Sequence, residues 1–343
     1  MPLLLTGTAD VVHGILASMR FVATAGATRN FDGPEAELVI AMANMFTSAR
    51  PHLELDPELL DRDGLHTSSD LALDRILRDL PLARERHEAM VAATLCALVG
   101  PSFDEQANRA VKQLADAFGL DQDMAQHIER LSGEAACQAG ADLLRHFISD
   151  RSGVEESIIQ ARLDAGQEPL ETPHEVFVAY AEQLHASPPG SAGAELLRFY
   201  NHTGFSIPGS PQTPPLEVLG AHDLNHVLAG YPTTPEGEVY VALFTAANAV
   251  DAGLDYLAAV LVQWHHDVKI GVFDPARSDL QADLLAEAVR RGAATPTDLS
   301  GKDFAWRDLL HLPLTDARSS IGVVGEGLVA AQGAWDAFGR GDR

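Results

Sequence analysis

Two histidines and two carboxylates are spaced along this sequence as metal ligands are spaced on a helix. His222, Asp223 and His226 lie within one short stretch, and Glu238 follows His226 after eleven further residues. At about 100° per residue, His226 and Asp223 project about 40° and 100° from His222, so all three face one side of a helix. Imidazoles at positions i and i+4 can reach one ion with their ring nitrogens. We therefore predict a metal site formed by His222, Asp223, His226 and Glu238.

The segment before Glu238 has to reverse the chain if that carboxylate is to join the histidines. Residues 231–237 have the composition of a loop, and a helix is predicted over 238–250. Folding this helix back antiparallel would place its first turn beside the histidine helix. Gly230, at about 80° on the same face, would leave open space above the ligands. Imidazole and carboxylate ligands suit zinc, and would also accept iron or manganese.

A second cluster, Trp264-His265-His266-Asp267, is the next candidate for chemistry. Adjacent histidines point about 100° apart on a helix, so they do not readily bind one ion together. A role in orienting a zinc ligand or transferring protons suits them better than a separate metal site. With His202, it could instead complete a metal-dependent phosphohydrolase site of the HD type. A zincin-type protease is disfavoured, because HDLNH lacks the glutamate that serves as general base in HExxH. The sequence has no Walker A loop and no GxSxG elbow.

Composition narrows the class of protein. The 343 residues carry a net charge of −25, which disfavours nucleic-acid binding because phosphate backbones are repelled. The two cysteines, Cys96 and Cys137, lie outside any metal-binding pattern and are expected to be buried thiols in a reducing compartment. The first residues lack the features of a secretory signal, and no apolar stretch is long enough to span a membrane. We expect a cytoplasmic homo-oligomer that can contact membranes peripherally.

Helical periodicity dominates, so the fold class is predicted to be all-α. A weak break near residue 150 suggests two helical domains, 1–150 and 151–343, of which the second carries the metal site between antiparallel helices. The predicted helices, besides the two at the metal site, cover residues 36–49, 87–99, 104–118, 121–131, 134–148 and 173–186.

The first half contains a faint internal repeat. The acidic turn DGPEAE at 32–37 precedes one apolar helix, and GPSFDE at 100–105 precedes another that ends in FGL at 118–120. This arrangement resembles the tellurite-resistance TerB-like helical domain over about residues 15–135, in which two such units pack around a pseudo-twofold axis. The acidic turns could bind a cation, or they could be helix N-termini, which favour acidic side chains.

The metal motif itself is similar to that of a known family. HDLNH at 222–226, with eleven residues before Glu238, matches the HDxxH-x11-E motif of the coenzyme Q (ubiquinone) biosynthesis zinc-protein family. The first half of this chain is additional to the family's pattern. The segment LEVLGA at 216–221 stands where the family has an Arg/Glu-rich segment before HDxxH. The resemblance covers about residues 170–335, and further short patterns agree in their order: Phe199-Tyr200-Asn201-His202-Thr203-Gly204-Phe205, Arg290-Arg291-Gly292, Trp306, Leu312-Pro313-Leu314, Arg318 and Ile321-Gly322-Val323.

The resemblance implies an all-α domain with one zinc ion beside a groove for a polyprenylated aromatic ring. The family has been viewed both as an organiser of biosynthetic enzymes and as a lyase that removes the ring's C1 carboxyl group with oxidation. The expected partners are thus an isoprenoid quinone precursor or another apolar lipid, and the enzymes of such a complex. A non-enzymatic scaffold with a structural zinc, and the phosphohydrolase, remain as alternatives. We expect Arg318 to contact an anion or to form a surface salt bridge, and an apolar groove to be lined by Leu224, Val227, Leu243 and Phe244.

Overall fold

A computed structural model describes residues 1–61, 69–100, 104–120, 136–210, 213–248, 256–257, 259–261, 264, 280–301, 303–325 and 327. Within these residues the regular structure is helical and contains no strand, which confirms the all-α prediction. None of the described helices is long and apolar enough to cross a bilayer. The α-helices are α1 (Leu3–Thr6), α2 (Ala9–Ala23), α3 (Gly33–Ala49), α4 (Ser69–Asp79), α5 (Ala83–Leu98), α6 (Glu105–Phe118), α7 (Ala136–Ser152), α8 (Glu156–Asp164), α9 (His174–His185), α10 (Ala192–Thr203), α11 (Leu216–Ala229), α12 (Pro235–Asn248), α13 (Ala282–Ala294) and α14 (Leu314–Ile321), with short 3-10 helices at Pro57–Leu59 and Trp306–Leu309.

The chain divides into two compact units, each made of two segments. Unit 1 comprises Met1–Leu143 and Leu257–Ala293, and unit 2 comprises Leu144–Tyr256 and Ala294–Arg343. Helix α7 runs continuously through residue 150. The division into 1–150 and 151–343 stays a prediction.

The predicted helices at 36–49, 87–99, 104–118, 134–148 and 173–186 correspond to α3, α5, α6, α7 and α9, whereas the one at 121–131 lies outside the described residues. Their starts differ for local reasons. Helix α3 begins earlier, at Gly33, because Pro34 suits a first helical turn. Helix α5 begins at Ala83, since the Glu85 carboxylate accepts a hydrogen bond from the backbone N–H of Leu82 at 2.9 Å.

Helix α2 organises the core of unit 1. It packs along α5 and also contacts α3, α4 and α6. Its inward side chains, Val12, Ile15, Leu16 and Met19, are fully buried. The side chain of Leu80, the residue after α4, packs directly on the α2 backbone, because a Cβ on Gly14 would lie 2.7 Å from it. Cys96 on α5 is buried as expected, while the side chain of Cys137 lies outside the described residues.

The two acidic turns of unit 1 are helix N-termini connected by one arginine. Asp104 caps α6 by accepting a hydrogen bond from the backbone N–H of Gln106 at 2.7 Å. The Arg29 guanidinium pairs with Asp104 and lies 3.4 Å from the Glu35 carboxylate in the first turn of α3. Of the two interpretations of the acidic turns, these contacts support helix N-termini, because an arginine supplies the positive charge.

A left-handed turn positions Arg29 beside Asp104 and Glu35. Ala25, Gly26 and Ala27 have consecutive φ values of 49°, 70° and 67°. Such values cost an alanine roughly 1 kcal/mol or more, because its Cβ crowds the neighbouring backbone. The turn then allows the Arg29 Nε–H to donate to the Ala23 carbonyl at 2.7 Å.

Replacing Arg29 with methionine is expected to destabilise the protein by about 1–3 kcal/mol, because the buried Glu35 carboxylate would lose its cation. Urea denaturation followed by circular dichroism measures this free energy of unfolding. Arg109→Met is the matched control, since that side chain is 64% exposed and its pair with Glu105 spans 3.6 Å. Equal losses in the two variants would contradict the role given to Arg29.

Ala27→Gly is expected to stabilise the protein by up to about 1 kcal/mol, because glycine adopts positive φ without the Cβ clash. The same substitution at Ala161, in the exposed helix α8, should destabilise by about 0.5–1 kcal/mol. Thermal and urea unfolding of both variants measure the difference in sign. A loss of stability in Ala27→Gly would show that the left-handed turn is not strained.

Candidate metal centre

Helix α11 carries the two histidines and lies at the centre of unit 2. It packs against α10, α12 and α14, and residues 220–229 are all buried. A helix that is covered on every side has to bury its polar residues together with partners. It ends at Gly230, whose φ of 73° places it in the left-handed conformation that terminates helices. Gly230 therefore ends the helix, whereas the sequence predicted that it opens space above the ligands.

A tight turn brings Glu238 back to α11. Helix α12 begins at Pro235, three residues before the predicted start, because proline suits a first helical turn and the Thr234 hydroxyl accepts from the Gly237 N–H at 3.2 Å. A Cβ on Gly237 would lie 2.1 Å from the Pro232 carbonyl oxygen. Only glycine fits this approach, and it places Glu238 in the first turn of α12.

Three of the four predicted ligands converge on one point. The Nε2 atoms of His222 and His226 are 3.2 Å apart, and the Glu238 Oε2 lies 3.4 Å and 3.3 Å from them. A tetrahedron with metal–ligand bonds of about 2.0–2.1 Å has edges of about 3.3–3.4 Å. The triangle formed by these atoms therefore has the dimensions of one face of a tetrahedral zinc site. Within the described residues, these three side chains form the group that could hold a metal ion.

The protonation of His226 follows from its hydrogen bond to a carbonyl group. Its Nδ1 lies 2.9 Å from the Tyr231 carbonyl oxygen, and a carbonyl can only accept, so Nδ1 carries a proton. In the neutral ring, Nε2 then presents a lone pair toward the Glu238 carboxylate. Two electron-pair donors meeting in this way require a cation between them, either a proton or a metal ion.

Burial strengthens the electrostatics of the cluster. His226 is 1% exposed, and its ring stacks on Phe199 with centroids 5.7 Å apart. Burial favours the neutral acid of Glu238, but the positive charge on His226 and hydrogen bonds from both rings hold its pKa at about 2. Burial likewise opposes charge on His226, yet attraction to Glu238 raises its pKa. The pKa of His222 is lowered, because burial outweighs its hydrogen bond to Glu238.

Asp223, the fourth predicted ligand, is buried beside the group but contacts a different partner. Its Oδ2 accepts a hydrogen bond from the Tyr200 hydroxyl at 3.0 Å, and the Tyr180 hydroxyl lies 3.4 Å from that of Tyr200. Burial raises the pKa of Asp223 to about 7. Its role as a ligand stays a prediction. Tyr180 carries no spacing signal in the sequence, whereas Tyr200 lies in the approach segment noted at 199–205.

One of the two roles expected of Arg318 is wrong, and its contact with an anion stays a prediction. It is 7% exposed, so the surface salt bridge is wrong, and its guanidinium donates to the carbonyl oxygens of Leu228 at 2.9 Å and Val227 at 3.0 Å. These carbonyls belong to the last turn of α11, where helical acceptors lack intrahelical donors. The arginine thus caps the metal helix, and a cation suits the negative end of the helix dipole.

The four residues expected to line an apolar groove are core residues. Leu224, Leu243 and Phe244 are 0% exposed and Val227 is 2% exposed, so they line no solvent-accessible groove. His202 lies in the last turn of α10 and is not in the group of three. Trp264 is buried, whereas His265, His266 and Asp267 lie outside the described residues.

Arg318→Met is expected to lower the free energy of unfolding by about 2–3 kcal/mol, because two buried carbonyl groups would lose charged donors. Arg162→Met is the control, since that side chain pairs at 3.7 Å with the exposed Glu171 and should cost at most about 1 kcal/mol. Urea titration of both variants tests the difference. A change in Arg318→Met no larger than the control would contradict the capping role.

No protein-family model matches the chain, and no curated protein matches it either. The likeness to the ubiquinone-biosynthesis zinc proteins therefore rests on the residues of the motif and the short patterns around it. The convergence of His222, His226 and Glu238 is an independent observation, and it bears on metal binding whatever family the chain belongs to.

Proposed function

We propose that this protein binds one divalent metal ion, zinc before iron or manganese, and uses the site to hold the anionic group of a polyprenylated aromatic ring. His222, His226 and Glu238 would be the ligands, with Asp223 as the predicted fourth. The observation that carries the proposal is the meeting of three electron-pair donors at 3.2–3.4 Å in a buried position. The ring and its isoprenoid tail come from the resemblance to quinone-biosynthesis proteins.

The chemistry of the ligand set favours an anionic substrate. When bound, a zinc ion would supply Lewis acidity toward a carboxylate or a developing phenolate. If Asp223 stays hydrogen-bonded to Tyr200 and does not bind the ion, Glu238 alone offsets one of the ion's two charges, and a net positive charge is left in a buried, low-dielectric position. An anion at that point relieves this imbalance, which supports the ring's C1 carboxylate or phenol as the group held there.

An aromatic pair supports an apolar substrate. Phe199 stacks on His226, and Phe205 lies against Phe199 with ring centroids 6.1 Å apart. Phe205 is 47% exposed. Phe199 is itself fully buried, so Phe205 is the ring that a substrate can meet, and Phe199 connects it to the metal-binding histidine. We propose that the aromatic ring approaches beside the exposed Phe205, at the end of the segment 199–205, rather than along the buried core residues.

Native purification followed by elemental analysis and lipid mass spectrometry tests both parts of the proposal. We expect about one metal ion per chain in the wild type, and loss of the metal in His226→Ala, because a three-residue site does not tolerate loss of one ligand. His185→Ala removes an exposed histidine of α9 and should leave the metal content unchanged.

The outcomes test the metal site and the identity of the substrate separately. Wild-type protein without metal, or unchanged metal in His226→Ala, would contradict the metal site. Metal recovered without any aromatic or isoprenoid lipid would contradict the quinone part alone. A co-purified phosphate ester would favour the phosphohydrolase instead.

Asp223→Asn is expected to weaken zinc binding less than Glu238→Gln does. The Glu238 Oε2 lies within 3.4 Å of both ring nitrogens, whereas the Asp223 Oδ2 holds the Tyr200 hydroxyl, which an amide oxygen can also accept from. Competition with a chromophoric chelator measures both dissociation constants for Zn²⁺. A loss in Asp223→Asn as large as that in Glu238→Gln would establish Asp223 as a ligand.

A further inference from the structure

One tyrosine from a distant part of the sequence contacts a metal-binding histidine directly. The Tyr256 hydroxyl oxygen lies 2.7 Å from Nδ1 of His222, and both residues are buried. Tyr256 lies 34 residues after His222, beyond the end of α12. Neither the HDxxH-x11-E pattern nor the segments that resemble the known family include it.

We propose that Tyr256 is a positioning residue for the metal site, and that it accepts a hydrogen bond from Nδ1–H of His222. The inference rests on the proposed function, because it concerns how His222 presents its other nitrogen to the ion. A ring that binds a metal through Nε2 carries its proton on Nδ1, and the atom that Nδ1 meets is the Tyr256 oxygen. Such partners orient the ring and strengthen its basicity as a ligand.

The two histidines are thus held in the same way by different groups. Nδ1 of His226 lies 2.9 Å from the Tyr231 carbonyl oxygen, and Nδ1 of His222 lies 2.7 Å from the Tyr256 hydroxyl oxygen. Both contacts leave Nε2 as the atom that faces Glu238. In both rings an oxygen that can accept from Nδ1–H therefore lies at Nδ1, which leaves Nε2 available to a metal ion.

The tyrosine is itself held in place by an aromatic contact. Its ring stacks on Phe147 of α7, with centroids 4.8 Å apart and an angle of 25° between the planes. The same ring also meets the His222 ring, with centroids 5.8 Å apart and an angle of 71° between the planes. Phe147 is 6% exposed, so the stack is buried. The hydroxyl position therefore depends on a residue of α7 as well as on Tyr256.

Tyr256→Phe tests the proposal, because it keeps the ring on Phe147 and removes only the oxygen. In the full-length protein we expect the Zn²⁺ dissociation constant to rise by about tenfold, as is typical for loss of such a partner. The imidazole ¹⁵N signals of His222 should shift in the metal-free and in the Zn²⁺-loaded protein, while those of His226 stay in place. The visible spectrum of the Co²⁺-loaded protein should change with them.

Tyr240→Phe is the matched control, because it also removes a buried tyrosine hydroxyl, on the helix that carries Glu238. It should leave the Zn²⁺ dissociation constant within about twofold of the wild type and the ¹⁵N signals of His222 in place. Phe147→Leu provides a second variant if Tyr256→Phe does not fold. It displaces the tyrosine ring without removing the hydroxyl, so a smaller loss of Zn²⁺ affinity is expected.

The results distinguish failure of this inference from failure of the proposed function. Wild-type protein that binds no Zn²⁺ would overturn the metal site itself. A wild type that binds Zn²⁺, with a Tyr256→Phe variant whose affinity and His222 signals match those of Tyr240→Phe, would overturn the role of Tyr256 alone.

Discussion

Unit 2 is built around three electron-pair donors that meet at one point and need a positive charge between them. Two imidazole nitrogens and a carboxylate oxygen are brought within 3.4 Å of one another in a buried position. Such a cluster is unfavourable without a cation, since lone pairs that face one another in a low-dielectric interior repel. The turn at Gly237 positions Glu238, and Arg318 caps the end of the helix that carries both histidines. The surrounding fold therefore maintains an arrangement that a positive ion would stabilise.

Features that depend on neighbours in the sequence could be predicted. His222 and His226 share a helix face because of their four-residue spacing, and the return of Glu238 follows from the loop composition before it. The all-α class follows from periodicity that extends over most of the chain. These properties are local, so the sequence alone was sufficient for them.

Features that depend on tertiary contacts could not be predicted. The hydrogen bond of His226 uses a backbone carbonyl, which carries no signature of residue type. Tyr256 and Phe147 come from distant segments, and nothing in their spacing connects them with HDLNH. Arg318 could be noticed in the sequence, but its role depends on which helix end lies beside it. The groove residues were misassigned because apolar periodicity predicts a buried face and does not distinguish a core from a binding surface.

The contact between Gly237 and Pro232 also limits how this protein can diverge. A side chain at position 237 would clash with the Pro232 carbonyl oxygen, so the turn has room only for glycine there. One residue added between Pro235 and Glu238 would rotate Glu238 by about 100° around the helix and carry it away from the histidines. The number of residues between His226 and Glu238 is therefore constrained, and insertions should be tolerated at other surface loops before they are tolerated here.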